Sequence, residues 1–212
     1  LNVLALDAAY GQASACLLSS GHLHSETISE PEPHSQAILP MLTRLLVSAG
    51  LEWEQLDVLA VGVGPGSFTG IRVAIATVAG LNAVLDKPVL GVSSLAVTAR
   101  QADVPGPVWV LEDARAGEMF VACYEDGKSV TADGCHVYEA LAAWPAGRYA
   151  AHRPPPGCEG WTRLEFRRER GEALAVEVRA QLDTIDDIEA LPHVMAPAYL
   201  QRSQAERSAT RA

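Results

Sequence analysis

The 212-residue chain is 49% hydrophobic and 20% charged, so it can bury a sizeable core and is expected to fold as one or two compact domains. Its net charge of −10 is concentrated at the front: residues 1–150 hold 7 basic against 16 acidic residues, the remainder 9 against 10. An acidic body argues against broad contact with nucleic-acid phosphates, which needs clustered Lys and Arg.

Four cysteines, Cys16, Cys123, Cys135 and Cys158, form no C-x-x-C pair and have no histidine at zinc-finger spacing, so reduced thiols are expected. The first apolar run has no basic residue ahead of it and is interrupted at Asp7. It reads as neither a signal peptide nor an anchor, and a cytoplasmic chain is expected.

Residues 2–6 predict a buried strand ending at Asp7, 14–18 a second and 22–28 a third of alternating character, with Gly21 marking a hairpin. Residues 34–49 predict a helix with Ile38, Leu39, Leu42, Leu45, Leu46 and Ala49 on a wide apolar stripe. Gly50 stops it, and Pro40 is expected to limit its regular part. A strand at 57–63, a long helix ending at Leu85, a strand at 88–92 and a helix at 94–101 complete a β-β-β-α-β-α-β-α order.

That order restarts after Pro105-Gly106-Pro107. A shift of 106 residues places Asp7 on Asp113, Ala8 on Ala114, Gly11 on Gly117 and Gly21 on Gly127. Two lobes, 1–104 and 105–200, with a polar tail at 201–212, are predicted. Within the second, a short helix is expected at 137–144, a strand at 148–151, a Pro/Gly loop at 152–161 and a helix at 172–182. The basic run 163–170 is interleaved with Glu165 and Glu169, which reads as a solvated face rather than an RNA patch.

The stretch from Gly62 to Leu85 organises the chain. An apolar strand runs into Gly62, Gly64, Pro65 and Gly66, and a helix follows that Ser67 or Thr69 can cap. The glycines at 62, 64, 66 and 70 do not fit G-x-G-x-x-G, Gly70 is not followed by the lysine of a phosphate loop, and Ser67 lacks the glycines of a nucleophile elbow. Gly64, Gly66, Ser67 and Gly70 therefore form either a structural turn or a loop facing an anionic ligand.

Asp7 and Asp113 each end a first strand and in two facing lobes would look into the cleft. There they could hold a hydrated Mg²⁺ or orient a nucleotide; the plainer reading is that each caps a turn. Arg72 lies in the first helical turn, an unfavourable place for a cation, so it is expected to pair with a carboxylate or reach a ligand. Beyond it the helix carries no charge. It is expected to span about fifteen residues, too short for a bilayer. Ala76, Ala79, Gly80 and Ala83 would let a second backbone approach, and together with the Ile38, Leu42 and Leu45 stripe they predict a helix-on-helix partner interface.

GPGSFTGIR from Gly64 to Arg72, with Gly91-Val92-Ser93-Ser94-Leu95, resembles the bacterial TsaB (YeaZ) family of accessory proteins in tRNA threonylcarbamoyladenosine biosynthesis. That family belongs to the Gcp-like, peptidase M22 (glycoprotease-related) group. Similar segments are Leu4-Ala5-Leu6-Asp7, His34-Ser35 with Leu39-Pro40, Asp113-Ala114-Arg115 with Gly117-Glu118, and Pro197-x-Tyr199-Leu200.

The resemblance implies an α/β fold of the actin-like ATPase (ASKHA, ribonuclease H-like) class with two duplicated βββαβαβα lobes. It further implies a noncatalytic scaffold subunit that binds the catalytic subunit TsaD and the ATPase TsaE, pairs with a second copy when alone, and meets tRNA only through the complex, with no membrane partner. TsaD carries an H-x-x-x-H metal pair. Here Ile38 follows His34 by four residues, so no metal site is implied and His34 reads as a capping or surface residue. Ala8 stands where the family commonly has a threonine that could contact a phosphate. No intrinsic cofactor is therefore expected, and ATP or ADP with Mg would sit at a partner-completed site. The alternatives are a glycoprotease-like peptidase or a small-molecule ATPase or kinase of the same fold.

Overall fold

A computed structural model describes residues 1–28 and 34–201, without the side chains of residues 34 and 35. The reading of His34 as a capping residue and most of the polar tail lie outside the described residues.

Strands β1 (Val3–Asp7), β2 (Ala13–Ser19), β3 (His22–Ile28), β4 (Val58–Gly64) and β5 (Val89–Ser93) form one sheet in the order β3-β2-β1-β4-β5. β1, β2 and β3 pair antiparallel, while β4 is parallel to both β1 and β5. β1 and most of β4 are buried throughout, as strands covered on both faces must be, whereas edge strand β3 is largely exposed. Helix α1 (His34–Ala49) leads from β3 to β4, α2 (Phe68–Leu85) joins the parallel strands β4 and β5, and α3 (Ser94–Ala102) follows β5.

The second half forms β6 (Pro107–Arg115), β7 (Glu118–Glu125), β8 (Lys128–Val137), β9 (Arg148–Ala150) and β10 (Thr162–Arg163), ordered β10-β9-β6-β7-β8. This is the first sheet's order repeated, with the same parallel and antiparallel pairs. It is the duplicated architecture of the actin-like ATPase class.

The 106-residue offset has a physical origin. Ser20-Gly21 and Asp126-Gly127 sit at φ 48° and 81°, and 50° and 78°. Two central residues at positive φ match a hairpin turn to the right-handed twist of its strands. The pairs Ser19↔His22 and Glu125↔Lys128 then start both hairpins in equivalent register.

The second copy is abridged, so the βββαβαβα order expected of it holds for the first half alone. Where the first half has α1, the second has a 3₁₀ turn, Tyr138–Ala143; where the first has α2, it has an irregular segment at 151–161. Trp109, Trp144 and Trp161 cover that face instead, Trp109 stacking on Trp144 at 5.6 Å and meeting Trp161 edge-on at 5.8 Å.

Helix α4 (Arg170–Leu182) returns to the first sheet. Its Ala173, Leu174 and Val178 pack with Val3, Ala5, Cys16 and Leu18. The boundary near 105 separates the sheets, but α4 and the segment holding Pro192 and Ala198 pack on the first one rather than within a lobe of 105–200.

α1 runs through Pro40, which lies on its exposed side, so the proline does not limit the helix as expected. It ends at Gly50, φ 67°, where Leu51 N–H closes onto Leu46 O at 3.0 Å. α2 is also longer than expected. With 18 residues and a mean hydropathy of 1.6 it is long and apolar enough to cross a membrane, yet Ala74 and Val78 join the core under the first sheet. Among the described residues none of the four cysteines forms a disulfide.

Candidate functional site: an interlobe seam and an exposed helix face

The glycine loop packs on its own chain. A Cβ on Gly70 would stand 1.9 Å from Ala8 O, one on Gly66 2.7 Å from Ala9 O, and one on Gly62 2.1 Å from the Asp7 carboxylate. Ser67 N–H donates to Ala9 O at 2.8 Å, and Ser67 Oγ accepts from Gly70 N–H at 3.3 Å, capping α2. The absent side chains make room for segment 7–9, and the loop's N–H groups at 67 and 70 are committed within the protein.

Asp7 does not look into an open cleft, contrary to the sequence reading. It is fully buried: Oδ2 accepts from Arg170 Nε at 2.7 Å and from Arg170 Nη2, and Oδ1 accepts from Ser94 Oγ at 2.9 Å. Arg170 Nη1 donates to Thr98 Oγ1 and Gln101 Oε1, each at 3.1 Å. The first residue of α4 is thus bound to β1 and α3. This corrects the solvated reading of 163–170 at its last position: a buried guanidinium needs a buried partner, and Asp7 is that partner.

Beside this pair Tyr10 fills the seam. Its hydroxyl donates to Pro65 O at 2.8 Å, its ring stacks on His152 at 5.1 Å, and the Arg170 guanidinium lies 5.0 Å from its centroid. Desolvation, and then the Glu112 carboxylate, push its phenol well above the usual range. Glu112, fully buried, accepts from the main-chain N–H of His152 and of Arg153 at 2.8 and 2.9 Å and contacts His152 Nδ1 at 2.8 Å.

Asp113 caps a turn. Its Oδ1 accepts from Arg115 N–H at 2.7 Å and from Tyr138 Oη at 2.6 Å. Burial and that hydrogen bond push the Tyr138 phenol up to about 12. Among the described residues no three His, Cys, Asp or Glu side chains are grouped to hold a metal. With Asp7 held by Arg170 and Asp113 by its own turn, the residues present do not fit a Mg–nucleotide site within this chain.

The other candidate surface is the outer side of α2. Gly70, Ile71, Ala74, Val78 and Asn82 take the buried side. At 3.6 residues per turn, Arg72, Ala76, Ala79 and Ala83 line the opposite stripe. Ala76, Gly80 and Ala83 are exposed and Ala79 partly so, with Val84 84% exposed beside them.

Ile38, Leu42 and Leu45, expected to share this surface, are buried against the first sheet. α1 has one strong apolar stripe, and the sheet uses it. Of the two expectations for Arg72, the carboxylate partner is not found among the described residues. The Arg72 Nε donates to Tyr199 Oη at 2.7 Å, and its guanidinium lies 3.7 Å from the Phe68 centroid and 5.6 Å from that of Tyr199.

Tyr199 belongs to a strap that runs beside α2 from its C-terminal end to its N-terminal end. Pro192 O accepts from Val89 N–H at 2.7 Å on the β5 edge, and His193 O accepts from Asn82 Nδ2 at 2.9 Å. Met195 Sδ occupies the space beside Gly91, where a Cβ would meet it at 2.8 Å. Ala198 N–H reaches Val63 O at 2.8 Å, and Gln201 Nε2 reaches Glu118 in the second sheet at 2.6 Å.

A family model described as "TsaD: tRNA N6-adenosine threonylcarbamoyltransferase" matches residues 26–142, more than half of the chain. The solved structure "YeaZ from Pseudomonas aeruginosa" is 30% identical, superposes with a TM-score of 0.78, and covers 94% of this chain and 99% of its own. The chain belongs to the TsaB/YeaZ family.

"tRNA threonylcarbamoyladenosine biosynthesis protein TsaB" of Escherichia coli is 37% identical over 128 residues, 59% of this chain and 55% of that one. The protein of the same name from Haemophilus influenzae is 40% identical over 103 residues, 48% and 43% of the two chains. The chain thus matches these curated TsaB relatives over about half their length.

Arg170, Tyr10, His152 and Glu112 escaped the sequence reading because nothing local marks a residue whose partners lie across the fold. Tyr199 did carry a signal, the Pro-x-Tyr-Leu segment shared with the family, but not its contact with Arg72.

Proposed function

We propose that this TsaB-family chain is a noncatalytic accessory subunit of the machinery that makes threonylcarbamoyladenosine in tRNA, and that the exposed face of α2 docks a TsaD-type catalytic subunit. The observation that carries this reading is the contrast between the two candidate surfaces. The seam is filled by Asp7, Arg170, Tyr10 and His152, whereas α2 leaves an apolar, small-residue face uncovered. Contiguous apolar surface of that kind is a docking feature.

The same face serves a second copy when the chain is alone. A TsaE-type ATPase is a further partner, and tRNA is reached only through the complex, in keeping with the net charge of −10. Any ATP or ADP with Mg belongs to a site completed by the partner. The protein works in the cytoplasm. Commitment of Asp7 and Asp113 to internal contacts weighs against the peptidase and ATPase alternatives. Affinity capture of the tagged chain from its source cell, with mass spectrometry, is expected to recover a TsaD-type protein; its consistent absence would contradict the reading.

A further inference from the structure

We infer that Arg72 of one copy and Asp86 of a second copy pair across an antiparallel contact between their α2 helices. This rests on the reading of α2 as a docking face.

Both charges stand at the wrong ends of their own helix. Arg72 is in the first turn of α2, beside the positive end of the helix dipole, and Asp86 caps the negative end in the left-handed conformation, φ 51°. The Arg72 guanidinium is held outward between Phe68 and Tyr199, with no carboxylate among the described residues. The Asp86 side chain is 89% exposed, with one oxygen on His193 Nδ1 at 2.9 Å. An antiparallel copy of α2 corrects both faults, bringing a cation to each C-terminal end and a carboxylate to each N-terminal end.

The spacing suits such a contact. Arg72 and Asp86 lie equally far on either side of Ala79, each roughly 10 Å along the axis. A two-fold axis between the helices, at right angles to them and level with Ala79, places each Arg72 opposite the second copy's Asp86. The stripe between them is Ala76, Ala79 and Ala83, so the axes can approach to about 8 Å, within reach of an arginine. A phosphate in place of the carboxylate is disfavoured, because Ser67 N–H and Gly70 N–H are committed to Ala9 O and Ser67 Oγ.

The test is the self-association constant, by analytical ultracentrifugation, of the wild-type chain, Arg72→Glu, Asp86→Lys and the double variant. Asp86→Asn is included because asparagine tolerates the left-handed turn, and circular dichroism checks folding. Each single reversal is expected to weaken the dimer by on the order of tenfold, and the double variant to recover most of that loss. Asp86→Asn should weaken it less than Asp86→Lys. Singles that dimerise like wild type, or a double variant no better than the worse single, overturn the pairing. Ala83→Arg separates the two claims: if it abolishes dimerisation while the charge variants do nothing, the docking face stands and the Arg72–Asp86 register falls. If Ala83→Arg also dimerises normally, or the wild-type chain stays monomeric at high concentration, the pairing falls, and the docking face is then decided by titration with a TsaD-type subunit alone.

Discussion

Arg170 and Asp7 form an ion pair at the seam, with 2% and 0% of their side chains exposed, although 163 residues separate them in sequence. The pair fastens the first turn of α4 to the end of β1. Removing one member strands the other's charge without water, which costs about 3–5 kcal/mol. Arg170→Met is therefore expected to lower the unfolding free energy by that amount. Asp7→Asn together with Arg170→Met should lose less than the sum of the two single losses, as urea denaturation will measure.

Glycines of α2 predict opposite responses to one methyl group. Gly70→Ala drives a Cβ against the main-chain oxygen of Ala8, which flexible side chains cannot relieve, and should destabilise by about 2–3 kcal/mol or more. Gly80→Ala meets nothing within 4 Å and removes a poor helix former, so it should stabilise the monomer by roughly 0.5–1 kcal/mol. Thermal midpoints moving in opposite directions would bear this out, and a neutral Gly70→Ala would contradict the packing account of the loop.

Asp133 supplies the pH prediction. It accepts from Ser93 Oγ at 2.5 Å and from Tyr124 Oη at 2.9 Å, joining β8 to the N-cap of α3, and burial outweighs these bonds to push its carboxyl above the usual value. The folded state therefore favours the protonated form. This contribution is present in full below the ordinary carboxylate range and is lost as pH rises through the folded pKa. Relative to wild type, Asp133→Asn should gain stability as pH rises from about 3.5 to 7. A stability difference that does not change with pH would refute it.

An acidic body should also bind tRNA weakly when alone, since few phosphate counterions are released. Filter binding at low and moderate salt is expected to give weak affinity; tight, steeply salt-dependent binding by the isolated chain would place an RNA surface on the chain itself and contradict this.

Much of the fold was legible because local chemistry dictates it. The strand runs, the Gly21 and Gly127 hairpins and the Ser67 cap each follow from residues a few positions apart, and the 106-residue offset exposed the duplication. What stayed hidden depends on distant partners. The Ile38-Leu42-Leu45 stripe announces a buried face but not what buries it, and the sheet proved to be its partner rather than another chain. Arg170 looks like its neighbours in a mixed-charge run, and only the return of α4 to β1 distinguishes it. The strap is held largely by main-chain groups of Pro192, His193 and Ala198, on which side-chain patterning leaves no mark. In the candidate site, the glycines were recognised but not the Ala8-Ala9 segment that needs them.

Docking of a TsaD-type subunit on the exposed face of α2 is a proposal open to direct measurement. It is tested most directly by calorimetric titration of that subunit with wild-type chain, Ala76→Arg and Ala83→Arg, each checked for folding by circular dichroism. Both positions are exposed in the separate chain, so folding should be unchanged, and an interface of ordinary size, roughly 1,200–2,000 Å², would trap the new charge unpaired. Tight binding is expected of wild type, with a loss of about a hundredfold or more in both variants. Folded variants that bind the subunit as wild type does would contradict it.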